Sequence, residues 1–224
     1  MVRFRVVSFN VRSLRDDTSA VAQVLRDTDA DVVCLQESPK YLRWRGKVAA
    51  LARRADLLYV AGGRTTGGVA MLTAIRVGVR SVTEHRLPAT PGLTRRGLLL
   101  ATLTKGGATI RVGSMHLGLD AAERARHLTE ITGLVDGSPP VTVLAGDVNE
   151  SPSGPTWTRL AGEFIDLGAH DPTPTFSTAN PRRRIDGIFV RGPARAEGYQ
   201  VLDSTMVRAA SDHRPVVADV VVDA

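Results

Sequence analysis

Apolar residues recur along the chain with two periods, and the change from one to the other marks the elements. Arg3 to Phe9 alternates and is rich in Val and Phe, the signature of a half-buried strand. Ala20 to Arg26 then places Val21, Val24 and Leu25 at helical spacing, and Asp31 to Gln36 is a short apolar run of the kind found in strands covered on both faces. Pro39 to Ala55 predicts a helix with Leu42, Val48, Ala49 and Leu51 available for the core. Leu57 to Ala61, Gly68 to Ile75 and Val77 to Leu87 predict strands.

The stretch Leu98–Thr104, Lys105-Gly106-Gly107, Thr109–Met115 predicts a hairpin, two glycines supplying the turn between β-rich runs. Asp120 and Glu123 have the spacing of a helix cap, so Ala121 to Val135 should be a helix that ends before Gly137 and Pro139-Pro140. Val141 to Ala145 reads as a buried strand and Trp157 to Ala161 as a short helix with Trp157 in the core. Ile185 to Val190, Tyr199 to Leu202 and Val216 to Val222 complete the strands. Strands outnumber helices yet keep alternating with them, and the hairpin breaks a strict strand–helix–strand order. That combination predicts an α/β sandwich with mixed sheets rather than a doubly wound parallel sheet. No linker-like stretch divides residues 1–224, so a single domain is expected.

Composition narrows the class. With 224 residues and 43% hydrophobic content the chain can bury a sizeable core, which excludes disorder as its main state. Cys34 is the single cysteine, so no intramolecular disulfide can form; mid-strand, it should be an inert core thiol. No apolar run approaches the ~20 residues that span a bilayer, and Met1-Val2-Arg3-Phe4-Arg5 has no apolar signal core, so the expected compartment is the cytoplasm. The net charge of +6, carried by 26 arginines and three lysines, permits a polyanionic partner without choosing one.

Candidate chemistry gathers where strands stop. Asn10, Glu37, His116, Asp147 with Asn149, Asp186, and Asp212-His213 each stand at or beside the end of an apolar run, where α/β folds place their ligand-binding loops. Singly, each has a plain role as a turn residue, a cap or a satisfied histidine. Glu37 and Asp186 resist that account, because an acid set against apolar strand residues is costly unless a cation or donor meets it. Oxygen donors dominate (Glu37, Asp147, Asn149, Asp212, Asn10), which suits Mg²⁺ or Mn²⁺ better than zinc, and attack on phosphorus better than other chemistries. A Ser-His-Asp arrangement with Ser114 or Ser211 as nucleophile is the alternative, although neither serine lies in a Gly-x-Ser-x-Gly elbow.

Six motifs together, Ser8-Phe9-Asn10-Val11, Leu35-Gln36-Glu37, Ser114-Met115-His116-Leu117-Gly118, Gly146-Asp147-Val148-Asn149, Arg184-Ile185-Asp186-Gly187-Ile188 and Ser211-Asp212-His213-Arg214-Pro215, occur in this order. From about residue 4 to residue 220 the chain resembles the endonuclease/exonuclease/phosphatase superfamily, which includes deoxyribonucleases, apurinic-site endonucleases, sphingomyelinases and inositol polyphosphate 5-phosphatases. The resemblance implies a four-layer α/β sandwich, two mixed sheets face to face with helices outside, and a Mg²⁺-dependent phosphoesterase using in-line attack of water. It implies that Glu37 binds metal with Asn10 and Asp212, that Asp147 aligns or deprotonates the water, and that Asn149 contacts the phosphate. His213 would hold a nonbridging oxygen or share in proton transfer, oriented by Asp186. His116 would stand near the leaving group, Arg96 would contact phosphate, and Thr175 would support the site from behind.

The chain departs from apurinic-site endonucleases at Arg183-Arg184-Ile185-Asp186-Gly187 and at His116, which argues against abasic-site repair. It also has no membrane-engaging hairpin like that of secreted sphingomyelinases and no disulfide like that of secreted deoxyribonuclease. The expected substrate is a phosphodiester, DNA or RNA foremost, with Lys40 to Arg54 and Trp44 beside the phosphate track and no obligate protein partner evident. Small-molecule or lipid phosphates are the alternative, and a catalytically silent binding module the third.

Overall fold

The computed structural model describes residues 1–137 and 139–223. In chain order its elements are β1 (Val2–Asn10), α1 (Thr18–Asp27), β2 (Val32–Gln36), α2 (Trp44–Arg54), β3 (Leu58–Gly62), β4 (Ala70–Thr73), β5 (Gly78–Arg86), β6 (Gly97–Lys105), β7 (Ala108–His116), α3 (Ala121–Val135), β8 (Thr142–Asp147), α4 (Pro155–Glu163), β9 (Ile165–Asp166), β10 (Asp186–Arg191), β11 (Ala194–Val201), α5 (Thr205–Ala210) and β12 (Val216–Val222). Two six-stranded sheets result, ordered β11-β12-β1-β2-β4-β3 and β5-β6-β7-β8-β10-β9. Both are mixed, since β1 and β2 are parallel in the first and β7 and β8 in the second, while their other pairings are antiparallel.

Side-chain parity builds the layers. Phe4, Val6, Val32, Cys34, Val143, Ala145, Ile188, Val216 and Ala218 belong to one buried cluster between the sheets. Val7, Phe9, Val33 and Leu35 turn the other way and pack with Val21, Val24, Leu25, Val48 and Leu51 of α1 and α2. On the opposite outer face Met115, Leu144 and Phe189 meet Leu128 and Ile131 of α3 and Trp157 and Leu160 of α4. Four layers follow because each sheet is apolar on both faces and both must be covered. Trp157 and Phe189 contact edge to face with centroids 5.1 Å apart, so Trp157 is core, 1% exposed.

Local chemistry explains the elements. Asp17 caps α1, accepting from the backbone N–H of Ser19 and Ala20. Asp120 caps α3 through Glu123 N, but Glu123 itself turns to accept from Thr90 N rather than closing a reciprocal box. The β6–β7 hairpin turns at Gly106 and Gly107, whose φ of 53° and 87° suit glycine.

The helix expected from Pro39 begins only at Trp44, and the expected core residues Leu42 and Ala49 are exposed. The chain after β2 is tied across to the β3–β4 connection by Ser38 N donating to Gly68 O, and Arg43 sits in the left-handed region, φ 56°, so no helical turn can start earlier. Ile75 lies beyond β4 and is exposed. β11 starts at Ala194, well before the expected Tyr199, and runs as a largely exposed edge strand. The two-residue β9 and the six-residue α5 have no counterpart in the sequence pattern.

Candidate active site

Parity also generates the site. Along β2, β8 and β10 the inward positions are apolar until the last at one end of the sandwich, and along β1 and β7 they are apolar but for Ser8 and Ser114; at that end they become Asn10, Gln36, His116, Asp147 and Asp186. In the second sheet His116 pairs with Asp147 and Asp147 with Asp186, so three chemistry-bearing residues lie in one row across β7, β8 and β10. In the first sheet Asn10 pairs with Gln36. Asn10 Nδ2 crosses between the sheets to Asp147 Oδ2 at 3.1 Å.

Asp147, 1% exposed, is the hub. Its Oδ1 accepts from Asn149 N at 2.8 Å; its Oδ2 lies 3.3 Å from His116 Nε2 and 3.9 Å from His213 Nε2. Burial by itself would raise its pKa, but the two imidazoles and the Asn149 N–H outweigh burial and hold the carboxyl well below the usual range. Asp147 is therefore ionised at neutral pH.

His213 arrives from the loop between α5 and β12. Its Nδ1 is 2.9 Å from Asp186 Oδ2 and 3.2 Å from Oδ1, and its ring lies 4.7 Å from that of Phe176. Burial disfavours its cation, yet Asp186 first and then Asp147 and Asp212 push its pKa up to about 9. Burial and the nearby Asp147 charge raise the pKa of Asp186, opposed by His213. The fully buried Thr175 accepts from the N–H groups of Ile185 and Asp186 at 3.0 and 3.2 Å, fixing the start of β10 and so the acid that orients His213.

His116 is 1% exposed and held on both ring nitrogens. Arg96 Nη1 approaches Nδ1 at 3.0 Å; a guanidinium only donates, so Nδ1 accepts and the neutral ring carries its proton on Nε2, facing Asp147. Burial and then Arg96 lower the pKa of His116, which keeps the ring neutral. Asn149, in the left-handed region with φ 59°, lies against Nε2 at 3.0 Å and donates to Leu117 O. The serines do not form a nucleophilic arrangement: Ser114 donates to Leu35 O and Ser211 to Asn10 O, and neither hydroxyl meets an imidazole nitrogen among the described residues. Arg12, which the sequence did not single out, pairs with Asp212 at 3.3 Å; its only signal was proximity to Asn10.

A sequence profile described as the Endonuclease/Exonuclease/phosphatase family matches residues 7–213. This chain belongs to the endonuclease/exonuclease/phosphatase family. Family members are phosphoester hydrolases that generally use a divalent metal. Solved structures agree on the fold. An endonuclease/exonuclease/phosphatase from Bacteroides vulgatus superposes with a TM-score of 0.84 at 17% identity, covering 100% of both chains. D. rerio TDP2 complexed with single strand DNA product gives 0.79 at 19% identity, covering 99% of this chain and 100% of that one. A mannosyl-6-phosphatase from Bacteroides thetaiotaomicron VPI-5482 gives 0.80 at 18%, covering 98% and 100%. No curated protein matches the chain in sequence.

For the divalent metal that family members generally use, two sets of residues come into question. Asp147, Asp186 and His213 bring ligand atoms within 4.8 Å of one another. Asp186 and His213 are already bonded to each other there, however, which uses the imidazole Nδ1. Glu37 offers the cleaner fit: half-buried at φ 49° just past β2, its carboxylate makes no hydrogen bond or ion pair among the described residues. An acid so placed, with the Asn10 amide nearby in register, suits a hard cation. Asp212 is already paired with Arg12, which it shares with Asp16, so its part in metal binding competes with that pair. No helix of the described residues is long and apolar enough to cross a membrane.

Proposed function

We propose that this protein is a Mg²⁺-dependent phosphodiesterase that hydrolyses P–O bonds of nucleic acid by in-line attack of water. The observation that carries the reading is the row His116, Asp147, Asp186 with His213 docked on its end. Glu37 and Asn10, with Asp212, would hold the cation, which supplies charge neutralisation at the nonbridging oxygens. Asp147 accepts a hydrogen bond from the attacking water and takes its proton as the oxygen–phosphorus bond forms; the bond to the leaving oxygen breaks and that oxygen takes up a proton from solvent water. His213, cationic at neutral pH, and the Asn149 amide hold nonbridging oxygens. His116 acts through Asp147 and Asn149 in this reading, instead of meeting the leaving group. Arg96 in turn fixes its tautomer from behind and adds positive charge beside the phosphate site.

The net charge of +6 and the likeness to D. rerio TDP2, whose structure holds a single-strand DNA product, favour nucleic acid. The mannosyl-6-phosphatase likeness favours a second reading, a phosphatase of small phosphate esters. The test is Mg²⁺-dependent hydrolysis of plasmid, single-stranded DNA, RNA and bis-p-nitrophenyl phosphate by wild type and His213→Ala. Nucleic-acid cleavage that disappears in the variant supports the proposal. Cleavage of the small ester alone transfers the site to small-molecule phosphates, and no hydrolysis of any ester overturns the reaction.

A further inference from the structure

A cavity of about 420 Å³ has a lining that includes Lys40, Tyr41, Arg64, Gly67, Arg86 and Arg95. Four of these are cations, no acid lines the cavity, and none of the four makes an ion pair among the described residues. Arg86 alone has a hydrogen-bond partner, the carbonyl of Thr65 at 3.2 Å. Like charges gathered in one concavity repel each other until an anion enters.

The chain is shaped to bring them together. Gly67 and Gly68 both have positive φ, 65° and 105°. A Cβ on Gly67 would stand 2.8 Å from Arg95 O and 2.6 Å from Arg96 C, and one on Gly68 would stand 3.1 Å from Lys40 Cδ. Two glycines thus let the segments bearing Lys40 and Arg95 close on each other. The same segments run on into the reaction centre: Lys40 follows Glu37 by three residues, and Arg95 precedes the arginine whose Nη1 is 3.0 Å from His116.

From this geometry we infer that the cavity seats a non-scissile phosphate of a single nucleic-acid strand, with the neighbouring base stacked on Tyr41. The inference rests on the nucleic-acid reading above and assigns the residues that select a strand over an isolated ester. Tyr41 decides for a strand over a compact bisphosphate, because the residue lines the cavity and is 79% exposed, so a flat base can cover it. Cations that track the backbone beside an aromatic platform are the common solution for holding single strands.

The test separates charge from stacking. Binding of a fluorescein-labelled single-stranded oligothymidylate is followed by anisotropy in EDTA, so that no turnover intervenes, across a range of KCl. Each cation removed should lower the slope of log K against log salt by about 0.7, so Arg64→Gln/Arg95→Gln should lower it by about 1.4. If the two lines meet at about 1 M salt, that is about 25-fold weaker binding at about 0.1 M. Tyr41→Ala should weaken binding roughly tenfold with the slope unchanged. Mg²⁺-dependent hydrolysis of bis-p-nitrophenyl phosphate should be the same in all three proteins.

An unchanged salt slope in the double variant overturns the inference, as does a slope that falls only together with turnover of the small ester. Binding of a nucleoside 3′,5′-bisphosphate by a protein that binds no strand overturns it too. A wild type that binds the strand through these residues yet hydrolyses no ester supports the cavity's assignment and overturns the reaction proposed above.

Discussion

Asp147→Asn removes the proton acceptor while keeping the shape of the side chain. Its two oxygens face Asn10 Nδ2 at 3.1 Å, His116 Nε2 at 3.3 Å and Asn149 N at 2.8 Å, all donors in the arrangement described. Whichever way the new amide is turned, its NH₂ group meets at least one of them, at a cost of about 1–3 kcal/mol for a buried donor left unmatched. For a domain of this size that lowers the melting temperature by about 2–12 °C. The kinetic loss is separate and larger. General-base catalysis by a positioned group contributes about 10²–10⁴-fold, or about 3–5 kcal/mol of barrier, and none of it remains in an amide. The assay is turnover of bis-p-nitrophenyl phosphate at saturating Mg²⁺, beside thermal denaturation of the same samples. Loss of more than about a hundredfold in kcat with a cooperative melt is expected. A folded variant turning over within a few-fold of wild type would refute the role given to Asp147.

Four further outcomes are expected. In metal-free protein, a nuclear magnetic resonance titration should find His213 near 9 and, in Asp186→Asn, a lower value. Because its folded value is raised, the pairing stabilises fully below about 6.5 and is lost as pH rises through about 9; an unmoved titration counts against the pair. Asp31, 2% exposed in its side chain, accepts from Arg5 N, Arg76 Nε and Lys105 Nζ at 2.6–2.8 Å, and Lys105 ties the β6–β7 hairpin to the other sheet. Asp31→Asn should cost about 2–3 kcal/mol at pH 7, less than a fully buried pair because both cations reach water. Burial opposes ionisation of Asp31, but Lys105, the Arg5 N–H and Arg76 outweigh it and lower its pKa from 3.8. The penalty is therefore present above about pH 4 and vanishes as pH falls through the folded value; urea melts showing equal penalties at pH 7 and in strong acid would contradict this. Glu37→Gln should weaken Mg²⁺ binding at least about tenfold by calorimetry, and unchanged affinity would remove Glu37 from the ligands. Cys34, fully buried with its thiol pushed up to about 12 by burial, should leave activity intact under thiol reagents, and rapid inactivation would contradict its burial.

Local periodicity specified a good part of this molecule before any long-range contact is considered. Alternation in Arg3–Phe9, the Gly106-Gly107 turn and the Asp120 cap each encode an element through its own residues, and each is present in the fold. The polar strand ends were legible for the same reason, since an acid or histidine closing an apolar run is costly wherever the strand goes. What those ends face is a matter of tertiary packing. That His116, Asp147 and Asp186 share one row depends on strand register across 70 positions of sequence, which no local pattern carries. The exposure of Leu42 follows from the Ser38–Gly68 tie, the short β9 and α5 from packing against longer elements, and the Arg12–Asp212 pair from a loop meeting the far end of the chain. Even the tautomer of His116 is a tertiary property, because only the approach of Arg96, a pure donor, fixes which nitrogen holds the proton.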